Sequence, residues 1–184
     1  MKTTAWKVFI DYEKEEEWLN AMSAKGLAMK DYFFLRYVFE DSEPGEYTYR
    51  IELLNNLPGQ AESQNYLSFM ADSGVEHVAS WHRWVYFRKR TEGGSFDIYS
   101  DIDSRIEHYR RVKMLWLVIM IMEIFLGCSN LFIGFEFLLG TGSGTLLNFV
   151  AGILVLCLGG VIFLVWNALR QKIKRLCEEQ ALRE

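Results

Sequence analysis

Two apolar runs decide the fold of this chain: MLWLVIMIMEIFLGCSNLFIGFEFLL at residues 114–139 and LLNFVAGILVLCLGGVIFLVWN at residues 146–167. As a helix, the first run would be about 39 Å long, which exceeds the ~30 Å hydrocarbon core of a bilayer. The second run is also long enough to span that core. The glycine-rich segment 140–144 joins them. The pattern predicts a transmembrane helical hairpin at residues 114–167.

Basic residues flank the predicted hairpin on both outer sides. They are Arg105, Arg110, Arg111 and Lys113 before it, and Arg170, Lys172, Lys174 and Arg175 after it. Because cytoplasmic flanks of membrane helices are enriched in Lys and Arg, this bias places both termini in the cytosol. Trp116 and Trp166 lie at the inner ends of the runs, where indole rings favour the membrane interface. We therefore expect a cell-membrane protein with two helices and cytoplasmic termini.

Polar and small residues recur on one face of each predicted membrane helix. They are Glu123, Gly127, Asn130 and Gly134 on the first helix, and Asn148, Gly152, Val155 and Gly159 on the second. Small residues let helix backbones approach, and amides hydrogen-bond across helices. These faces are therefore expected to pack together or against another copy. Glu123 lies near mid-bilayer, where a charge costs at least about 2.5 kcal/mol; it is either a functional polar contact or a protonated, structural residue.

Residues 1–95 are predicted to form a cytosolic α+β domain. Alternating apolar residues predict strands at 5–11, 27–33, 34–40, 47–53, 75–81 and 84–90, and amphipathic spacing predicts helices at 13–25 and 60–73. Gly26 and Gly74 end the helices. The order strand–helix–strand–strand occurs twice, at a shift of 48 residues. We therefore expect a duplicated, ferredoxin-like unit, with helices on one face of a single, largely antiparallel sheet.

The segments around the hairpin complete the predicted organisation. Residues 96–113 form a juxtamembrane helix or linker, and residues 168–184 form a basic, then mixed, cytosolic tail. A continuous helix through 96–113 would couple the domain mechanically to the membrane, whereas a break near Arg110 would not. The sequence leaves both alternatives open.

Aromatic residues are dense in the predicted strands. Most are expected in the core, and the surplus is a candidate ligand or partner surface, because large exposed apolar patches mark such surfaces. Arg36 and Arg50 fall on the polar phase of strands predicted to be adjacent. They either anchor an acidic group or form cross-strand pairs with nearby acids. The acids Glu15, Glu16 and Glu17 are expected on the solvated face of the first helix.

Several classes of function find no support in the sequence. A net charge of −4 does not favour nucleic acid as a partner. The three cysteines have neither disulfide nor zinc spacing, and the three histidines are expected at the solvent-exposed surface. No phosphate loop, dinucleotide fingerprint or hydrolase motif occurs. We therefore expect no catalytic residues, no cofactor and no metal.

Three segments of the domain carry a resemblance to a known family. They are Glu17-Trp18-Leu19-Asn20-x-Met22-x-x-Lys25-Gly26, Phe34-x-Arg36-Tyr37-x-Phe39-Glu40 and Pro44-Gly45-Glu46-Tyr47-x-Tyr49-Arg50-Ile51. In this order they resemble the bacterial membrane family of domain of unknown function 2812, over about residues 6–90. Members commonly carry C-terminal membrane helices, and their genes often lie beside PadR-type regulators. The resemblance implies a bacterial cytoplasmic-membrane protein with a possible link to regulated stress or envelope responses, and it assigns no functional residue.

Together these observations predict a membrane-anchored cytosolic binding or regulatory module of unknown ligand, without catalysis. The alternative is a small accessory subunit of a bacterial transporter or membrane complex, in which Glu123 and the small-residue faces dock partner helices. The expected partners are the lipid bilayer and either a second copy or another membrane protein.

Overall fold

The computed structural model describes residues 2–94, 96–99, 101–142 and 144–182. The chain divides into two units, Met1–Asp101 and Ile102–Glu184. The first unit mixes helices and strands, which confirms the predicted α+β class. Its elements are β1 (Lys2–Trp6), α1 (Tyr12–Ser23), β2 (Leu27–Phe33), β3 (Arg36–Asp41), β4 (Tyr47–Leu53), α2 (Ala61–Asp72), β5 (Glu76–Trp81) and β6 (Trp84–Arg90).

The strands form two sheets rather than the single sheet expected. Sheet A has the strand order β1-β3-β2, and sheet B has the order β4-β6-β5. All pairs are antiparallel. The expectation of one shared sheet is therefore wrong. Alternation identifies the buried face of each strand but carries no information about which strands pair.

The first strand also differs from its prediction, because it spans Lys2–Trp6 instead of residues 5–11. The N–H of Lys7 donates to the carbonyl of Leu35 at 3.0 Å, just beyond the last β1–β3 pair. The chain then leaves the sheet, and the Phe9 ring packs 5.4 Å from the Trp18 ring. Phe9 thus packs against the core in the connection to α1, whereas Val8 and Ile10 of the same connection are exposed.

Corresponding irregularities recur in the two halves of the unit. The glycines after α1 and α2, Gly26 and Gly74, have positive φ values of 79° and 77°. The β2–β3 register shifts between Met29 and Asp31, and the β5–β6 register shifts between His77 and Ala79. Each pair of features is separated by the 48-residue shift seen in the sequence.

Two apolar clusters form the core of the unit. The first joins α1 with the inner face of sheet A and one face of sheet B, and consists of Leu19, Met29, Tyr37, Phe39, Tyr49, Ile51, Ala79 and Tyr86. The second joins α2 to the other face of sheet B, and consists of Leu54, Leu67, Met70, Val75, Val85, Phe87 and Phe96. Sheet B is therefore buried on both faces, whereas sheet A is buried on one.

The second unit contains two long helices, α3 (Ile102–Leu138) and α4 (Leu146–Ala181). α3 starts at Ile102 rather than at residue 96, because Phe96 is only 6% exposed in the second core cluster of the first unit. No break occurs at Arg110, since α3 runs through it as one helix. The described part of the predicted tail is helical to Ala181. His77 and His82 are exposed as expected, whereas His108 is buried, so the expectation is wrong for His108.

Candidate binding surfaces

The outer face of sheet A carries an exposed row of side chains at one end. Trp6 of β1 and Phe33 of β2 both lie opposite Arg36 of β3 in the strand registers. Trp6 is 70% exposed and Phe33 is 58% exposed. Residues opposite each other on one face have Cβ atoms about 4.5–5.5 Å apart. The row therefore presents a guanidinium between two aromatic rings.

The hairpin tips extend this row toward sheet B. The Trp81 ring meets the Phe33 ring edge-on at 5.0 Å and lies 5.8 Å from the Phe34 ring. Phe34 is 56% exposed. We call this surface the aromatic patch; it consists of Trp6, Phe33, Phe34, Leu35, Arg36 and Trp81. The sequence indicated a surplus of aromatic residues but not which ones would share a surface, because Phe33 and Trp81 lie in different sheets.

The two predicted binding arginines do not form one site. Arg36 lies on β3 of sheet A and Arg50 lies on β4 of sheet B. The expectation that their strands are adjacent is therefore wrong. The Arg50 guanidinium lies 3.2 Å from a Glu16 carboxylate oxygen and 6.0 Å from the centre of the Phe96 ring. Arg36 is exposed and has no hydrogen bond or ion pair with any described residue. Arg36 is therefore available to a ligand, whereas Arg50 already has an acidic partner.

The second carboxylate oxygen of Glu16 has a structural role. It accepts the Ile51 N–H at 3.0 Å. Burial raises the pKa of Glu16 to about 7, although Arg50 and this N–H both favour the charged carboxylate. Glu16 was expected on a solvated helix face, and that expectation is wrong.

Helix α1 covers the open edge of β4 with polar side chains. The side chains are Glu16, Asn20 and Ser23, and their partners are main-chain groups of Ile51, Tyr49 and Tyr47. Asn20 accepts from the Tyr49 N–H at 2.8 Å and donates to the Tyr49 carbonyl at 3.2 Å. This bidentate contact replaces the neighbouring strand that β4 lacks, and it protects an edge that would otherwise be open to pairing. Asn20 and Tyr49 both belong to the segments that carry the family resemblance.

A buried acid links α1 to both sheets. Glu15 Oε1 accepts hydrogen bonds from the Tyr37 hydroxyl at 2.6 Å and the Tyr86 hydroxyl at 2.7 Å. Burial raises the pKa of Glu15, and the two tyrosine hydrogen bonds offset part of that increase. Glu15 was also expected to be solvated, which is wrong. Glu15 lies four residues before Leu19, on the apolar face of the helix. This spacing is the feature of the sequence that could have predicted its burial.

The bulge in β2 provides a further tie between the sheets. Because the bulge interrupts regular pairing, the Met29 N–H donates to the Tyr49 hydroxyl at 2.8 Å, and the Met29 carbonyl accepts from Arg88 at 3.1 Å. Arg88 is held by two hydrogen bonds of 2.8 Å to Glu76. The Met29 main-chain groups are thereby paired with Tyr49 and Arg88 of sheet B, and the exposed carboxylate of Glu76 holds Arg88 in place. These contacts join the sheets on the inner face of sheet A.

The predicted glycine faces lie at the contact between α3 and α4. A Cβ atom at Gly127 would lie 2.6 Å from Leu156 Cγ, and one at Gly134 would lie 2.5 Å from Phe149 N. A Cβ atom at Gly152 would lie 2.8 Å from Leu131 N. Real Cβ atoms do not approach a backbone so closely, so the helix pair needs glycine at 134 and 152, whereas at 127 the Leu156 side chain would have to move. Among the described residues, a Cβ at Gly159 would meet Glu123 Cβ at 3.6 Å, an ordinary contact.

Amides add a polar contact to this helix pair. Asn148 donates to Asn130 Oδ1 at 3.3 Å, and Asn130 donates to the Leu126 carbonyl at 2.9 Å. Glu123 is half-buried, and its carboxyl group has no hydrogen bond or ion pair with any described residue. Its polar atoms therefore remain available to a partner.

The site and the fold together define a class: a mixed α+β domain with one uncovered aromatic sheet face, joined to two helices long and apolar enough to cross a membrane. Within the described ranges, no group of three His, Cys, Asp or Glu residues could hold a metal ion.

The chain belongs to the family described as protein of unknown function (DUF2812), which matches residues 11–121. The match covers α1 through β6 and continues into the first half of α3. No curated protein and no solved structure matches the chain.

Proposed function

We propose that this protein is a membrane-anchored, cytosolic binding or regulatory module without catalysis. The aromatic patch carries the proposal, because it places an available guanidinium between exposed aromatic rings on a face that the domain does not cover. Such contiguous exposed apolar surfaces mark interaction sites. In this account the first unit binds a ligand or partner, and α3 and α4 form a hairpin that holds it at a bacterial cell membrane.

The surfaces of α3 and α4 support the membrane anchor. In the most apolar 18-residue stretch of each helix, only 11% of the residues of α3 and 17% of those of α4 are buried within the protein. A core helix of a soluble protein would be mostly covered, whereas Phe125 and Leu147 are 72% and 75% exposed. Lipid provides the apolar surroundings that such side chains require. The basic flanks support cytosolic termini.

A duplication would explain the form of the domain. Both halves have the order strand–helix–strand–strand, and each sheet places its third strand between the first two. Their glycine caps and register shifts recur at the same spacing. We propose that two ferredoxin-like units arose from one, with sheet B covered by α2 and sheet A left open for binding.

The binding proposal is tested by purifying the full chain in mild detergent and identifying co-purifying proteins, small molecules and lipids by mass spectrometry. Wild type is compared with Arg36→Glu and with Lys25→Glu, an exposed charge reversal at the other end of sheet A. We expect a bound species that is lost only with Arg36→Glu. An identical set in all three samples would refute binding through the patch.

The anchor and its orientation have separate tests. We expect the chain to stay with membranes after washing at high pH and to be released only by detergent. A reporter that is active only in the cytosol, fused after Glu184, should be active. An inactive reporter would overturn the proposed orientation while leaving the anchor intact.

The alternative function is that of an accessory subunit in a transporter or membrane complex. The observation that favours it is Glu123, whose carboxyl group has no partner in the described chain although it lies within a predicted membrane span. Such groups are costly in lipid and commonly meet a polar partner. Glu123→Gln should then release a co-purifying membrane protein, and an unchanged set of partners would argue against this function.

A further inference from the structure

The turn between β2 and β3 places bulky apolar residues where the backbone disfavours them. Phe34 and Leu35 have φ values of 36° and 67°. Two-residue hairpin turns with positive φ normally use Asn or Gly, because left-handed backbone costs other residues roughly 1–2 kcal/mol each. The Phe34 side chain gains little from burial, since it is 56% exposed. Within the domain the turn is held by the Trp81 ring, 5.8 Å from the Phe34 ring, and by hydrogen bonds from Lys7 to the Leu35 carbonyl and from the Leu35 N–H to the Tyr32 hydroxyl. More than half of the Phe34 side chain nevertheless stays exposed, which points to a contact outside the domain.

The charges around the patch favour an anionic occupant. Arg36 has no acidic partner among the described residues. Lys7, whose N–H donates to the Leu35 carbonyl, does not add to this charge, because its ammonium group lies 4.8 Å from the centres of the Phe9 and Trp18 rings. Farther along this face, Glu40 is already paired with Lys30 at 2.7 Å. Asp31 lies one row farther along this face, opposite Val38, so the positive charge belongs to Arg36 within the row of Trp6 and Phe33.

The combination of residue types identifies one occupant. Tryptophan prefers the membrane interface, where its ring is apolar and its N–H meets polar groups. Phenylalanine enters the acyl boundary, and basic side chains bind the anionic headgroups beside it. A groove on a partner protein would also accept aromatic residues. The chain itself, however, carries two helices suited to a bilayer, and this tether keeps a lipid surface at high effective concentration near the aromatic patch.

We infer that the aromatic patch docks the domain onto the anionic lipid interface of the membrane in which the chain is anchored. Phe33, Phe34 and Trp6 enter the interface, and Arg36 binds headgroup phosphates between them. The inference rests on the proposed membrane anchor and names the ligand of the proposed binding surface. Docking would make the domain a sensor of lipid charge, because the docked fraction rises with anionic lipid.

The inference is tested with the full chain in lipid vesicles. Cys128, Cys157 and Cys177 are replaced by alanine, and an environment-sensitive fluorophore is attached to a single new cysteine. The positions are Phe34→Cys or Trp6→Cys for the patch, Phe69→Cys for an exposed aromatic position on α2, and Phe125→Cys for the membrane span. Lipids with a nitroxide near the glycerol backbone or in the acyl chain serve as quenchers, in phosphatidylcholine vesicles with or without phosphatidylglycerol.

We expect glycerol-level quenching at positions 34 and 6 in anionic vesicles, and none at position 69. Arg36→Ala should lower the ratio of docked to undocked domain about fivefold, which corresponds to ~1 kcal/mol for one basic residue at a lipid surface. Lys25→Ala should leave the ratio unchanged. Two patch positions are used so that a disturbed turn in Phe34→Cys does not decide the result.

The contrary outcomes are separable. Quenching at position 125 but not at 34 or 6 would overturn docking and leave the anchor in place. No quenching at position 125 would overturn the anchor and the inference together. The fluorophore at position 34 could instead report an apolar environment that depends on protein concentration, without quenching by the nitroxide lipids. That result would show that a second copy covers the patch. Equal quenching in neutral vesicles would refute recognition of anionic headgroups.

Discussion

Sheet A and sheet B have the same strand order but different surroundings. Sheet B is covered by α2 on one face and by α1 and sheet A on the other, so consecutive residues of β6 are buried: Val85, Tyr86 and Phe87. Sheet A is covered on its inner face only, and its outer face ends in the aromatic patch. Similar local patterns thus serve stability in one half and a candidate binding surface in the other.

The two arginines show the same difference at the level of single side chains. Arg50 of sheet B is half-buried beside Glu16 and the Phe96 ring. Arg36 of sheet A is exposed and makes no described polar contact. An arginine with a partner within the domain supports the fold, whereas one without such a partner is available for recognition.

The largest expected difference between the sheets concerns phenylalanine truncation. Phe87→Ala should lower the free energy of unfolding by about 3–5 kcal/mol, because Phe87 is fully buried in sheet B. Phe33→Ala, on the outer face of sheet A, should lower it by only about 1 kcal/mol, because the side chain is 58% exposed and loses chiefly its ring contact with Trp81. Urea unfolding of the full chain in mild detergent measures both. Equal losses would mean that the outer face of sheet A is also covered.

A pH-dependent stability is expected from the contact between α1 and sheet B. The pKa of Glu16 is about 7 in the fold against 4.5 for the free group, so the folded state binds this proton more tightly. The contribution of Glu16 to the free energy of unfolding is therefore fully present below pH 4.5 and is lost as the pH rises through 7. The loss is at most ~3 kcal/mol, at 1.36 kcal/mol per pKa unit, and partial exposure of the side chain reduces it.

Urea unfolding across this pH range tests the assignment. Glu16→Gln should flatten the dependence, although Glu15, whose pKa is also raised, contributes a remaining slope of the same sign. Glu17→Gln, at an exposed neighbouring position, is the matched control and should keep the wild-type slope. A wild-type stability that rises between these pH values would contradict the assignment.

A smaller effect is expected at the covered edge of sheet B. Asn20→Ala removes the two hydrogen bonds to Tyr49 and leaves its main-chain groups without partners, which should cost about 2 kcal/mol. Asn65→Ala, on the exposed side of α2, should cost less than about 0.5 kcal/mol. Hydrogen exchange of the Tyr49 amide should quicken only in Asn20→Ala. Unchanged exchange there would show that α1 does not protect this edge.

The smallest expected effect separates the arginines. Arg50→Ala should lower stability by about 1 kcal/mol, because it leaves the partly buried Glu16 without its charged partner. Arg36→Ala should leave stability unchanged within about 0.5 kcal/mol. Thermal unfolding of both variants, measured in the same detergent, gives the comparison. A larger loss from Arg36→Ala would assign that residue to the fold.

Local patterns predicted much of this structure. Alternation located β2, β4 and β6 with their observed bounds, and the glycine stops placed the ends of α1 and α2 within two residues. The apolar runs gave the two long helices, because length and composition alone determine that prediction. These features depend on residues close together in the chain.

What the sequence missed depends on contacts between distant residues. The division into two sheets follows from pairings such as Thr3 with Phe39 and Thr48 with Lys89, which periodicity does not encode. The burial of Glu15 requires Tyr37 and Tyr86, from different sheets. The patch likewise needs Phe33 and Trp81 to meet across the sheets. Arg36 was named from its strand phase, but only its tertiary surroundings distinguish it from Arg50.

If the proposed docking occurs, the outer face of sheet A is exposed in the isolated chain and covered at the membrane. Hydroxyl-radical footprinting of the full chain, with residue-level mass spectrometry, compares native membranes with mild detergent. We expect Trp6 and Phe33 to be modified readily in detergent and to be protected in membranes, while Phe69 reacts equally in both. Equal modification of Trp6 and Phe33 in membranes and detergent would contradict it.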